Sequence, residues 1–103
     1  MGLLSRKSES PPQPKITKEL TIVNRLGLHA RPSAMFVKTA SRFSKCEVWV
    51  EKDGERVNGK SIMGLMMLAA GMGSKLIVTC EGADGEKALA EIEEIIRRKF
   101  DEE

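Results

Sequence analysis

The chain has 103 residues, of which 41% are hydrophobic and 31% are charged, with a net charge of +2. This length fits one domain, and this composition is typical of an ordinary soluble globular protein rather than a disordered or membrane-spanning one. No apolar run approaches the roughly 20 residues that a membrane helix requires, and the apolar pair Leu3 and Leu4 is too short for a signal peptide. We therefore expect a cytoplasmic protein.

The charge is distributed unevenly along the chain. No carboxylate occurs between Glu19 and Glu47, and this stretch contains the only histidine, His29. The same stretch carries the basic residues Arg25, Arg31, Lys38, Arg42 and Lys45. Such a pattern favours an anionic ligand or an acidic partner surface, and a solvated basic surface is the alternative.

Residues 1–14 are rich in Ser and Pro and predict a flexible tail, so that the folded domain spans residues 15–103. Residues 15–23 alternate apolar and polar side chains and predict a strand. A helix is predicted from Ala30 to about Phe43, because Pro32 fits only in the first turn of a helix. His29 then lies at the N-cap of that helix.

Residues 46–51 predict a half-buried strand that turns at Asp53-Gly54 into a short returning strand. Ser61 is a favoured N-cap residue for a second helix. A further strand leads to a last helix that begins at Asp84 and has the apolar stripe Leu89, Ile92, Ile95 and Ile96. In that last helix, the spacing of Glu93 with Arg97 and of Glu94 with Arg98 predicts i, i+4 ion pairs. The resulting order, β-α-β-β-α-β-α, predicts an α+β two-layer sandwich with helices on one face of an antiparallel sheet.

A histidine at the N-terminus of a helix is placed for phosphate chemistry. The first turn offers free backbone amides and a partial positive charge, and a neutral imidazole has a lone pair for attack on phosphorus. Arg31, two residues later, can bind phosphate oxygens. The sequence has no P-loop, metal-ligand cluster or second histidine, so we expect no metal or cofactor and no catalytic turnover. These features indicate a carrier that depends on the active sites of its partners.

The motif "GLHARP", followed downstream by "VNGKSIMGLMML", resembles the HPr family, the histidine-containing phosphocarriers of the bacterial phosphotransferase system. The resemblance covers about residues 16 to 100. It implies an open-faced sandwich of four antiparallel strands with three helices on one side. It also implies that His29 accepts a phosphoryl group on Nδ1 and that Arg31 is the active-site arginine.

The same resemblance implies partners and a second modification. Enzyme I would donate the phosphoryl group, and the A domains of sugar permeases (enzyme II) would accept it from what we expect to be a monomer. Ser61 would be phosphorylated by HPr kinase/phosphorylase, which would weaken the encounter with Enzyme I. Ile62, Met63, Leu65 and Met66 around this serine could form an apolar docking patch. The simpler alternative is that Ser61 only caps a helix and that these apolar residues belong to the core.

Three alternatives to sugar-type carriage differ in the sequence features that they require. A regulatory relay of the nitrogen-related branch would keep the chemistry of His29 without sugar uptake. A nucleic-acid-binding module would need aromatic residues among basic ones on the sheet, and Trp49 is the only aromatic residue on a predicted strand. A free-standing hydrolase lacks a base or a metal near a nucleophile. We therefore expect no nucleic-acid partner.

Overall fold

The computed structural model describes residues 13–103. Most of the predicted tail, residues 1–12, lies outside this part. The strands are β1 (Lys15–Thr21), β2 (Cys46–Lys52), β3 (Glu55–Asn58) and β4 (Lys75–Gly82), and the helices are α1 (Ala30–Ser41), α2 (Ile62–Met67) and α3 (Gly85–Arg97). A short 3₁₀ turn follows at Lys99–Asp101. The predicted βαββαβα order is confirmed.

The four strands form one sheet in the order β1-β4-β2-β3, and every neighbouring pair is antiparallel. Side chains alternate across it: Val48 and Val50 of β2 are buried, whereas Trp49 between them is half-buried on the opposite face. The guanidinium of Arg56 lies 4.5 Å from the centre of a Trp49 ring. The helices cover the buried face only, which confirms the α+β open-faced sandwich.

The core lies between the sheet and the three helices. Phe36 of α1 and Leu65 of α2 are fully buried, and burial of such a side chain contributes about 1.5–3 kcal/mol to stability. The predicted stripe of α3 is buried along its length at Leu89, Ile92, Ile95 and Ile96. The chain between β1 and α1 is bonded to the chain before β4, since Ile22 N donates to Ser74 O at 2.9 Å and Leu28 N to Ala70 O at 2.8 Å.

Cys46 and Cys80 are buried, unpaired and on neighbouring strands. Burial is the main cause that raises the pKa of Cys80 to about 12, and burial also raises the pKa of Cys46. Both side chains are therefore neutral thiols near pH 7, and they fill the core as small apolar groups.

Two local expectations are wrong. Helix α1 ends at Ser41, before Phe43. The predicted i, i+4 ion pairs of α3 are absent among residues 13–103, because Arg97 pairs with Glu94 one turn earlier and Arg98 pairs with Asp101 beyond the helix.

Candidate functional site

His29 is the N-cap residue of α1, as predicted, with extended backbone angles of φ −77° and ψ −171°. Its carbonyl accepts the first helical hydrogen bond, from Ser33 N at 3.0 Å. No acceptor from residues 13–103 is bonded to the amides of Ala30 and Arg31. Pro32 occupies the first turn, where its missing N–H costs no hydrogen bond. The helix therefore presents two free amides and its positive end beside the imidazole.

The loop before His29 is held against the chain between α2 and β4. Gly27 has φ +71°, and a Cβ built on it would lie 2.3 Å from the carbonyl oxygen of Ala70. Leu28 N donates to the same oxygen at 2.8 Å. Gly27 is thus required for this close backbone approach.

The side chain of His29 is 37% exposed. Its Nε2 lies 2.8 Å from Oε2 of Glu102, a carboxylate that is only 16% exposed. The other carboxylate oxygen, Oε1, accepts from Nδ2 of buried Asn24 at 3.0 Å. No hydrogen bond from the described part of the chain reaches Nδ1. The ring therefore offers one free nitrogen to an incoming group.

Arg31 is exposed and forms no ion pair with any residue from 13 to 103. It lines an open groove of about 400 Å³, together with Arg25, Leu26, Met35, Phe100, Asp101, Glu102 and Glu103. The guanidinium is free to bind phosphate oxygens in this groove. The carboxylates opposite come from the end of the sequence, so the groove is less basic than the local stretch of sequence predicted.

Ser61 is the N-cap residue of α2, as predicted, and its Oγ accepts a hydrogen bond from Gly64 N at 3.0 Å. The residue is half-buried. This contact is a typical N-cap hydrogen bond of a serine at a helix N-terminus. Ser61 is nevertheless next to the exposed apolar residues of α2.

The predicted docking residues are divided between surface and core. Ile62, Met63 and Met66 are exposed by 41%, 74% and 43%. Leu65 has no exposed surface, so its inclusion in the patch is wrong: it points from the short helix into the core.

Other exposed apolar side chains lie outside the predicted docking patch, and they include Leu26, Met67 and Met72. Leu26 and Met66 line one shallow groove together with His29. We call Leu26, Ile62, Met63, Met66 and Met67 the apolar rim. Exposed apolar groups beside a functional side chain suit a protein–protein contact.

Within the described residues, no group of three or more His, Cys, Asp or Glu side chains is placed to hold a metal ion. The helices of residues 13–103 include none with the length and apolarity to cross a membrane. Together the fold and the site define a small α+β domain with a single exposed histidine at a helix N-terminus, next to an arginine and an apolar rim.

Comparison with known proteins agrees with this class. The sequence model of the family described as "PTS HPr component phosphorylation site" matches residues 16–98. The phosphocarrier protein HPr of Neisseria meningitidis is 49% identical over 87 residues, which are 84% of this chain and 97% of that protein. The HPr-like protein Crh of Halalkalibacterium halodurans is 47% identical over 72% of this chain and 87% of its own length.

A crystal structure of HPr from Thermoanaerobacter tengcongensis has a TM-score of 0.82 and 46% identity, covering 85% of this chain and 98% of that one. Another structure from this organism, described as an HPr dimer, has a TM-score of 0.66 and 48% identity over 81% and 97% of the two chains. The chain therefore belongs to the HPr family of phosphocarriers of the phosphotransferase system.

Proposed function

We propose that this protein accepts a phosphoryl group from phosphorylated Enzyme I on Nδ1 of His29. It then passes this group to the A domains of sugar permeases. The observation that carries the proposal is the half-exposed imidazole at the N-terminus of α1, with Nε2 already hydrogen-bonded and Nδ1 free. The free amides of the first helical turn and the guanidinium of Arg31 would bind the phosphoryl oxygens. The apolar rim would receive the partner proteins in turn.

The protein acts in this proposal as a monomeric, stoichiometric carrier in the bacterial cytoplasm. A nucleophile, two amides and an arginine can take up and release a phosphoryl group. The acid, base or metal that drives either transfer would come from the partner.

Regulation through Ser61 is the second part of the proposal. An ATP-dependent HPr kinase/phosphorylase would add a phosphate to Oγ, which brings about −1.5 to −2 charges at pH 7. The exposed side chains that follow directly, Ile62 and Met63, belong to the apolar rim. A charge beside them would weaken an apolar contact with Enzyme I. The structural alternative, a serine that only caps α2, is supported by its bond to Gly64 N.

A regulatory relay without sugar uptake is the alternative function, and the similarity to the HPr-like protein Crh is compatible with it. The two functions share the chemistry of His29 and differ in the acceptor. Transfer to a permease A domain therefore distinguishes them.

The test uses phosphoenolpyruvate, a bacterial Enzyme I and the full chain. We expect an acid-labile, alkali-stable phosphate that is present in the wild type and in Ser61→Ala, and is lost in His29→Ala. Mass spectrometry would locate it, and a permease A domain added afterwards should remove it. A label that persists in His29→Ala would disprove the proposed acceptor, and a label that no permease A domain removes would favour the regulatory relay.

A further inference from the structure

The chain after α3 positions the carboxylate of Glu102 next to the ring of His29. Lys99, Phe100 and Asp101 have φ values of 58°, 54° and 58°, a left-handed conformation that non-glycine residues adopt only when their surroundings impose it. Phe100 is buried with 3% exposure, and Arg98 binds Asp101 through two hydrogen bonds. These contacts hold the turn that brings Glu102 to His29.

The orientation of the Glu102 carboxylate is fixed from its buried side. Asn24 has no exposed surface, and its Nδ2 donates both to Oε1 of Glu102 at 3.0 Å and to the carbonyl of Gly27 at 2.9 Å. A carbonyl can only accept, so the bond to Gly27 determines which end of the Asn24 amide faces the carboxylate. The second oxygen, Oε2, is then directed at Nε2 of His29.

We propose that Glu102 is a positioning residue for phosphoryl transfer. An ionised carboxylate is only an acceptor, so its partner Nε2 carries the proton of the neutral imidazole, and Nδ1 keeps the lone pair. Without Glu102, the ring is free to adopt the other tautomer, in which the proton blocks Nδ1. The inference rests on the proposed function, since it assigns a purpose to the tautomer of His29.

The step itself balances without a proton transfer. The Nδ1 lone pair forms the P–N bond, while the bond from phosphorus to the donor atom breaks and its electron pair remains with the donor. The ring keeps its proton on Nε2 and becomes a phosphorylated imidazolium, which is positively charged. Glu102 then faces a charge that was absent before the reaction, so its stabilisation is greater for the transition state than for the ground state.

The first measurement is ¹⁵N NMR of the imidazole in the unphosphorylated full chain, above the pH at which its ring is protonated. Protonated and unprotonated ring nitrogens have widely different ¹⁵N chemical shifts. We expect Nε2 protonated and Nδ1 unprotonated in the wild type, and a mixture of tautomers in Glu102→Gln and Glu102→Ala. Glu94→Gln is the control, because it removes the same charge from a carboxylate that pairs with Arg97 on the surface of α3.

The second measurement is the rate of phosphoryl transfer from phosphorylated Enzyme I. Because Glu102→Gln loses a hydrogen bond to a charged group, we expect the kcat of transfer from Enzyme I to fall by about tenfold to a hundredfold. KM should change little, since the apolar rim is intact. Glu102→Asp should recover part of the loss. Glu94→Gln should match the wild type.

Two results would overturn the assignment of Glu102. The first is a His29 tautomer in Glu102→Ala that is the same as in the wild type. The second is a kcat for Glu102→Gln equal to that of the wild type, when both proteins accept phosphate. Failure of the wild type to accept phosphate would instead contradict the proposed function. The tautomer measurement needs no donor, so it separates the two failures.

Discussion

Substitution of Gly27 by alanine tests the closest backbone contact of the site. The new Cβ would lie 2.3 Å from the Ala70 carbonyl oxygen and 2.7 Å from Cα of Gly71, and both are backbone atoms that cannot rotate away. The left-handed φ of +71° adds a cost of about 1–2 kcal/mol for a residue with a Cβ. Overpacking typically adds about 1–3 kcal/mol. The free energy of unfolding should therefore fall by ~2–5 kcal/mol.

Gly54 provides the matched control. It also has a positive φ, +85°, but a Cβ there would meet no atom within 4 Å. Gly54→Ala should therefore lose only the backbone term, about 1–2 kcal/mol. Both alanine variants reduce the entropy of the unfolded chain by a similar amount, so this contribution cancels in the comparison. The difference between the two isolates the contact of Gly27 with the loop at Ala70.

Thermal and urea unfolding of the two variants measure this difference. For a domain of this size, each kcal/mol lowers the melting temperature by roughly 4–8 °C, so Gly27→Ala should melt at least ~4 °C below Gly54→Ala. Equal melting temperatures and equal urea midpoints would show that the Ala70 loop moves aside readily. The reasoning that this loop rigidly supports the histidine would then be refuted.

Two substitutions on the surface should alter transfer more than folding. Arg31→Ala should slow phosphoryl transfer by about tenfold to a hundredfold, the value of a hydrogen bond to a charged group, whereas the free energy of unfolding stays within roughly 0.5 kcal/mol because the side chain is exposed. Lys38→Ala removes an exposed cation about 10 Å further along α1 and should leave the rate unchanged; equal slowing in both variants would mean that only net charge matters. Ser61→Asp should keep the N-cap acceptor for Gly64 and slow transfer from Enzyme I, while Ser61→Ala should lose about 1 kcal/mol of stability and transfer normally. Transfer to Ser61→Asp at the wild-type rate would exclude regulation by charge at this position.

Most of the fold followed from local patterns in the sequence. Strict alternation in β2, the Asp-Gly turn and the apolar stripe of α3 each determine one element within a few residues, and Pro32 determines the start of α1. Helix ends were less predictable. Phe43 continues the helical spacing of α1, yet the helix ends at Ser41. The side chain of Phe43 is buried in the core although the residue lies outside the helix.

The part of the site that could not be predicted depends on contacts between distant residues. Glu102 lies 73 positions after His29, and its approach requires three successive left-handed residues. No sequence pattern marks Lys99, Phe100 and Asp101 for that conformation, because none of them is glycine. The prediction that Leu65 belongs to the docking patch was wrong for a related reason. Its spacing places it on the same side of α2 as Ile62 and Met66, but only the packing of this six-residue helix against the core shows that Leu65 is buried.

The carboxylate on His29 alters the charge argument made from the sequence alone. The sequence has no carboxylate between Glu19 and Glu47, and yet Glu102 from the end of the sequence contacts the ring of His29. The two ring nitrogens point away from one another, so the carboxylate on Nε2 is separated from a phosphoryl group on Nδ1 by the imidazole. The phosphoryl group carries about two negative charges, but the ring between the two groups becomes a cation when it is phosphorylated, and this positive charge offsets the repulsion between carboxylate and phosphate. A hydrogen bond to a charged group contributes about 1.5–3 kcal/mol, so we expect the carboxylate to stabilise the phosphorylated, positively charged ring that it contacts.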